Sequence, residues 1–235
     1  MKSFLYAAVF AALCFYAVNA HAQQRVASHR PSNQPQVRSG EKHYVVFLAH
    51  QSSDNKIAMS HTFALFLRTQ GDQANQKIIE TATINWLPAS GHISLVRPAE
   101  LGVNKPLAET LEWARDHGLE ISAIGPFEID AEFYRRAVAQ VARLERGEYK
   151  YRCYNATSRV TAKNCIYAVA DLFDDEQQLD TGSSRGLEAT KKVVEYFRPR
   201  FKSAELTGID GASLLGEFKL AEYRQAAADM TAAAE

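Results

Sequence analysis

The spacing of apolar residues changes period partway along the chain. Tyr44 to Ala49 (Tyr-Val-Val-Phe-Leu-Ala) is a short aromatic and β-branched run, which predicts a buried strand. Ser60 to Arg68 predicts a second strand, followed by a turn at Gly71-Asp72. Lys77 to Leu87 predicts a third, rich in isoleucine and threonine and stopped by Pro88. His92 to Arg97 predicts a fourth. The spacing then becomes helical. Leu107, Leu111 and Ala114 form one stripe, ended by Gly118. Leu119 to Ile124 predicts a strand or an extended segment. Asp130 caps a long helix with Phe133, Ala137, Val141 and Leu144 on one face, and Gly147 ends it. Tyr149 to Tyr154 alternates like an edge strand. Asn164 to Phe173 and Gly186 to Phe197 predict two further helices, the second broken by Pro199. The alanine-rich chain from Gly211 predicts a peripheral helix. Strands first and helices later give an α+β fold, an antiparallel sheet with packed helices.

The first 22 residues follow a different rule. Lys2 supplies a positive start, Phe4 to Val18 is continuously apolar, and Ala20-His21-Ala22 has the small-x-small form of a cleavage site. This predicts an export signal, so the chain is expected to be exported, periplasmic or secreted. The apolar run is short for a membrane span, which needs ~20 residues. No transmembrane span is expected once the signal is cut. Residues 23–42 are polar, contain Pro31 and Pro35, and predict a disordered linker. The α+β domain is then expected over 43–200, with a peripheral helical tail over 201–235.

Charge narrows the function classes. Lys+Arg and Asp+Glu are both 27, so the formal net charge is +0. A nucleic-acid partner is not expected without a basic excess or stripe. Cys153 and Cys165 remain after the signal is removed, too few for a disulfide scaffold, although export permits one bridge between them. Asn155-Ala156-Thr157 has the form of a glycosylation acceptor.

Several chemistries are absent or misplaced. Gly182-Ser183-Ser184-Arg185-Gly186 spells a nucleophile elbow, but an acidic segment precedes it and no histidine follows, since His117 is the last. Thr181 to Ser184 is better taken as a helix cap. The acids Asp171, Asp174, Asp175, Glu176 and Asp180 read as a solvated loop. A metal centre from His50, His61 and His92 has no compact ligand spacing, and neither metal nor organic cofactor is expected.

Cys165 stands out. Asn164 is a good N-cap, which makes Cys165 the first residue of a helix, where unpaired N–H groups and the macrodipole favour a thiolate. Such a nucleophile needs an imidazole partner. His61 opens a strand that would hold a ring rigidly. Asn85 on the next strand is the candidate to orient that ring, with His92 in reserve. Cys153 competes as nucleophile, but lies in a strand-like run with no helix start beside it.

The order of these residues resembles the circularly permuted papain-like hydrolases and acyltransferases, the clan that includes lecithin:retinol acyltransferase-like proteins. His61-Thr62-Phe63-Ala64-Leu65-Phe66 has the form of their histidine strand. Thr83-Ile84-Asn85-Trp86-Leu87-Pro88 has the form of the strand with the second polar residue. Tyr149-Lys150-Tyr151 and Asn164-Cys165-Ile166-Tyr167-Ala168-Val169 have the form of the tyrosine strand and cysteine helix. The resemblance covers His61 to Phe173 in patches. Ile166-Tyr167 departs from the acidic and aromatic or histidine residues common after the cysteine. It implies a permuted papain-like fold, Cys165 as nucleophile, His61 as base and Asn85 as orienting residue. The expected activity is attack on an amide, ester or thioester carbonyl of a small-molecule, peptide or lipid substrate. The rival expectation is a non-catalytic binding domain of the same fold, closed by a Cys153–Cys165 disulfide.

Overall fold

A computed structural model describes residues 40–71, 76–95, 98–154, 161–173, 179–206 and 208–224. The signal segment, the linker up to residue 39, the Asn155-Ala156-Thr157 acceptor and Asp174 to Glu176 lie outside the described residues. So do Asp72, Val96, Arg97 and the chain beyond 224. Among the described residues, no helix is long and apolar enough to cross a membrane.

The fold is α+β. Strands β1 (Glu41–Gln51), β2 (His61–Gln70), β3 (Lys77–Ile84) and β6 (Glu120–Ile129) form one antiparallel sheet in the order β3-β2-β1-β6. A second sheet joins β4 (Trp86–Pro88), β5 (Glu100–Asn104), β7 (Lys150–Tyr151) and β8 (Ala162–Lys163) in that order. The helices are α1 (Leu107–Asp116), α2 (Ala131–Glu145), α3 (Cys165–Ala170), α4 (Gly186–Phe197) and α5 (Gly208–Gly216).

The near-continuous apolar runs of β1 and β2 follow from a sheet covered on both faces. Successive strand side chains point to opposite sides. Val45, Phe47, Ala64 and Phe66 therefore face Phe133, Ala137, Ala168, Val193 and Phe197 from α2, α3 and α4. Tyr44, Val46, Leu48, Phe63, Leu65 and Leu67 face the other way, onto Leu107, Leu111 and Ala114 of α1 and onto Leu214, Leu215 and Leu220. A polar residue on either face would be buried, so neither strand alternates.

Several expectations need correction. The strand expected over Lys77 to Leu87 is two strands parted at Asn85, where the chain leaves the first sheet for the second. His92 to Leu95 is not strand; β5 supplies that ladder instead. The Tyr149 to Tyr154 segment keeps only two strand residues, and they lie between β5 and β8 rather than at an edge. Strand β1 begins two residues inside the expected linker. The tail placed outside the core buries Leu214, Leu215 and Leu220 against the first sheet. In the α2 stripe, Phe133, Ala137 and Leu144 are buried and Val141 is partly so. Asp130 does cap α2, accepting from the Phe133 N–H at 2.7 Å.

Candidate active site

The site begins where β2 begins. His61 opens that strand opposite His50 on β1, with the ring centroids 5.2 Å apart. The His61 side chain is fully enclosed, at 1% exposure. Asn85, at 0%, lies where β3 passes into β4. Its carbonyl accepts the Lys105 N–H at 3.0 Å, and its own N–H is left to a side chain. The Asn104 side chain takes over, accepting from the Asn85 N–H at 2.7 Å and donating to the Thr83 carbonyl at 2.9 Å.

The Asn85 amide can be oriented from its partners alone. Its nitrogen donates to the Lys105 carbonyl at 2.9 Å and to the Thr110 hydroxyl oxygen at 2.6 Å. A carbonyl only accepts, so Nδ2 must face Lys105. Oδ1 then faces His61 Nε2 at 2.7 Å. An amide oxygen also only accepts, so Nε2 carries the ring proton and donates. The tautomer leaves Nδ1 with its lone pair. That atom is buried and has no hydrogen-bond partner. Buried polar atoms are nearly always paired, so an unpaired one calls for an explanation; Trp86 Nε1 and Tyr134 Oη are others among the described residues.

Cys165 reaches the same region from another element. Asn164 caps α3, its Oδ1 accepting from the Tyr167 N–H at 2.9 Å and its Nδ2 donating to the Cys153 carbonyl at 3.2 Å. Lys163 Nζ and the Asp171 carboxylate, 2.5 Å apart, brace the two ends of the helix. Gln140 of α2 donates to the Ala168 carbonyl at 3.1 Å. Cys165 and His61 line one cavity of about 600 Å³, together with Thr62, Tyr151, Cys153 and Arg185. Both cysteines are free thiols.

The electrostatics differ from the sequence expectation. Burial pushes the Cys165 thiol up to about 11, against the N–H groups of Thr62, Ile166 and Cys165, which favour the thiolate. Burial likewise pushes His61 down to about 3, helped by the neighbouring His50 and opposed by the Asn85 hydrogen bond. The helix start was expected to acidify the thiol. Helix α3 has only six residues, and the cost of desolvating a charge exceeds what its few N–H groups return. The resting pair is therefore neutral thiol and neutral imidazole. Cys153 is also raised by burial, with Arg185 and Tyr151 acting in the opposite direction.

Three expected residues thus come together in part. Asn85 is bonded to His61, and Cys165 shares a cavity with His61. No hydrogen bond yet joins the sulfur to the free Nδ1. His92 stands apart on an exposed turn, its ring bonded to the Ser90 carbonyl at 2.8 Å. Asn104 and Thr110 complete the site and were not among the residues expected from the sequence. A signal for Thr110 was available, because it is a polar residue on the Leu107–Leu111–Ala114 stripe, and it is buried. The expected cap at Thr181 to Ser184 is also corrected. Arg185 is the N-cap residue of α4, and the Gln51 side chain accepts the Leu187 N–H at 2.9 Å. The chain matches no family model, no curated protein and no solved structure.

Proposed function

We propose that the protein is an exported cysteine hydrolase or acyltransferase with a permuted papain-like arrangement, acting on an amide, ester or thioester carbonyl. One observation carries the reading. The Asn85–His61 bond fixes a tautomer whose free Nδ1 is a buried, unpartnered base in a cavity that also holds a thiol.

The chemistry follows from the neutral pair. As the sulfur attacks the carbonyl carbon, its proton passes to His61 Nδ1. The imidazolium is stabilised by Asn85 Oδ1, which already accepts from Nε2. The oxyanion of the tetrahedral intermediate is met by backbone N–H groups at the start of α3. Collapse breaks the carbonyl bond to the leaving group, which takes the proton from Nδ1. Water then releases the acyl group from sulfur in a hydrolase, or an alcohol or amine does so in an acyltransferase.

Export rests on the signal pattern of residues 1–22. The test of activity is trapping of an acyl-enzyme. Incubation with a panel of activated esters and thioesters should add one acyl mass to the Cys165 peptide, and Cys165→Ser should abolish thioester formation. Absence of any adduct across the panel would refute the reading. The non-catalytic alternative draws on the two cysteines lining one cavity. Thiol titration of the exported protein separates the two: a Cys153–Cys165 disulfide gives no free thiol, the enzyme gives two.

A further inference from the structure

The cavity is two-sided in character. Ile57, Ile93, Leu95 and Tyr154 give it an apolar lining, and Leu95 and Tyr154 are exposed at 52% and 61%. Arg185 brings a permanent positive charge into the same cavity.

Arg185 is held there by its neighbours. Thr190 of α4 bonds the Thr62 hydroxyl at 3.0 Å and the Gly186 carbonyl at 2.9 Å, and Gln51 accepts the Leu187 N–H. The first turn of α4 is thereby fastened to the ends of β1 and β2, beside His61. Gly186 permits this approach, because a Cβ there would lie 2.3 Å from the Gln51 side-chain oxygen. The Arg185 guanidinium itself makes one long hydrogen bond, 3.4 Å to the Asn55 carbonyl. Among the described residues no carboxylate pairs with it. Asp180 lines the same cavity, but its Oδ1 accepts the Gly182 N–H at 2.8 Å. Arg185 and Cys153 line the same cavity, and the Arg185 charge opposes the upward push of burial on the Cys153 thiol.

The geometry points to Arg185 as the specificity residue for a carboxylate-bearing substrate whose apolar acyl group lies on the isoleucine lining, a molecule of the N-acyl amino acid class. A guanidinium left without an acid presents its donors as a fork that matches a carboxylate. The proposal rests on the hydrolase reading for the fate of the substrate, and on the cavity alone for its recognition.

Binding separates these two. N-octanoylglycine and its neutral analogue N-octanoylglycinamide are titrated into the full-length protein by calorimetry. The carboxylate is expected to bind about tenfold tighter or more, the usual scale for a hydrogen bond to a charged group. Arg185→Gln should remove that preference, and Arg185→Lys should keep part of it. Equal binding of the two ligands, binding of neither, or a preference that survives Arg185→Gln would overturn the proposal. Hydrolysis of N-octanoylglycine is then followed in the same protein and in Cys165→Ser. Loss of turnover with retained binding supports both readings. Preferential binding with no turnover in the unmutated protein contradicts the hydrolase and leaves the carboxylate site standing.

Discussion

Asn85 Oδ1 accepts the His61 Nε2 proton at 2.7 Å, at the point where the chain crosses from one sheet to the other. The bond joins a strand break to a strand start. It therefore couples the geometry of the base to the packing of both sheets, through Asn104 on one side and Thr110 on the other.

Thr110 should act as a positioning residue through Asn85. Thr110→Val keeps the shape but leaves an Asn85 donor short of a partner, at a cost of about 1–3 kcal/mol. Esterase kcat/KM should fall about tenfold, with unfolding in urea still cooperative, and Thr110→Ser should restore it. Activity unchanged in Thr110→Val would show that the Lys105 carbonyl alone holds the amide.

Acid should destabilise the fold well before its carboxylates titrate. Burial lowers His50 to about 4, His61 to about 3, and His43 in the same direction. In the unfolded chain each imidazole takes its proton below about 6.5, while in the folded one burial moves that step to lower pH. Protons in that window bind the unfolded state, so the histidine contribution is complete above pH 6.5 and is lost as pH falls. For His50 the loss amounts to roughly 3 kcal/mol by pH 4. Urea midpoints should drop steadily from pH 7 to pH 4, and His50→Phe should flatten the slope. A midpoint independent of pH over that range would contradict the burial of these rings.

Gly102 should resist any side chain. A Cβ there would lie 1.9 Å from the indole of Trp86, which is enclosed at 1% exposure next to Asn85. Gly102→Ala should cost about 1–3 kcal/mol by overpacking, and activity should fall as β4 shifts under Asn85. A thermal melt coincident with the unmutated protein would show that the indole has room to move.

If residues 1–22 act as an export signal, material recovered after export should begin at Gln23, because Ala20 and Ala22 suit a signal peptidase. N-terminal sequencing of exported material decides this, and a start at Met1 would contradict it.

Local chemistry was the legible part of the sequence. The buried runs of β1 and β2, the Asp130 and Asn164 caps and the polar Asn85 before Pro88 each carry their own signal in neighbouring residues. What depends on distant chain was not legible. Nothing near Lys77 to Leu87 says that the strand must part at Asn85, since the partner that replaces its ladder is Asn104 on β5. Nothing near Leu187 says that its N–H at the start of α4 is met by Gln51, 136 residues earlier. The thiol was expected to be acidic because a helix start is local, whereas the burial that raises it comes from the whole fold.

The most direct test of the central claim is the pH dependence of Cys165 alkylation. Iodoacetamide labelling of each cysteine is followed by peptide mass spectrometry from pH 5 to pH 9, in the unmutated protein and in His61→Ala. A thiol at about 11 is only about one part in ten thousand ionised at pH 7. Alkylation without a base should therefore rise about tenfold per pH unit. If His61 Nδ1 takes the proton as the sulfur attacks, the Cys165 rate in the unmutated protein should level off toward pH 5 instead of falling throughout, because the imidazole stays neutral there and its contribution does not depend on pH. His61→Ala should remove that levelling and slow labelling at pH 5 by about tenfold or more, while Cys153 responds the same way in both proteins. An equally steep rise for Cys165 in both proteins would show that His61 is not its base.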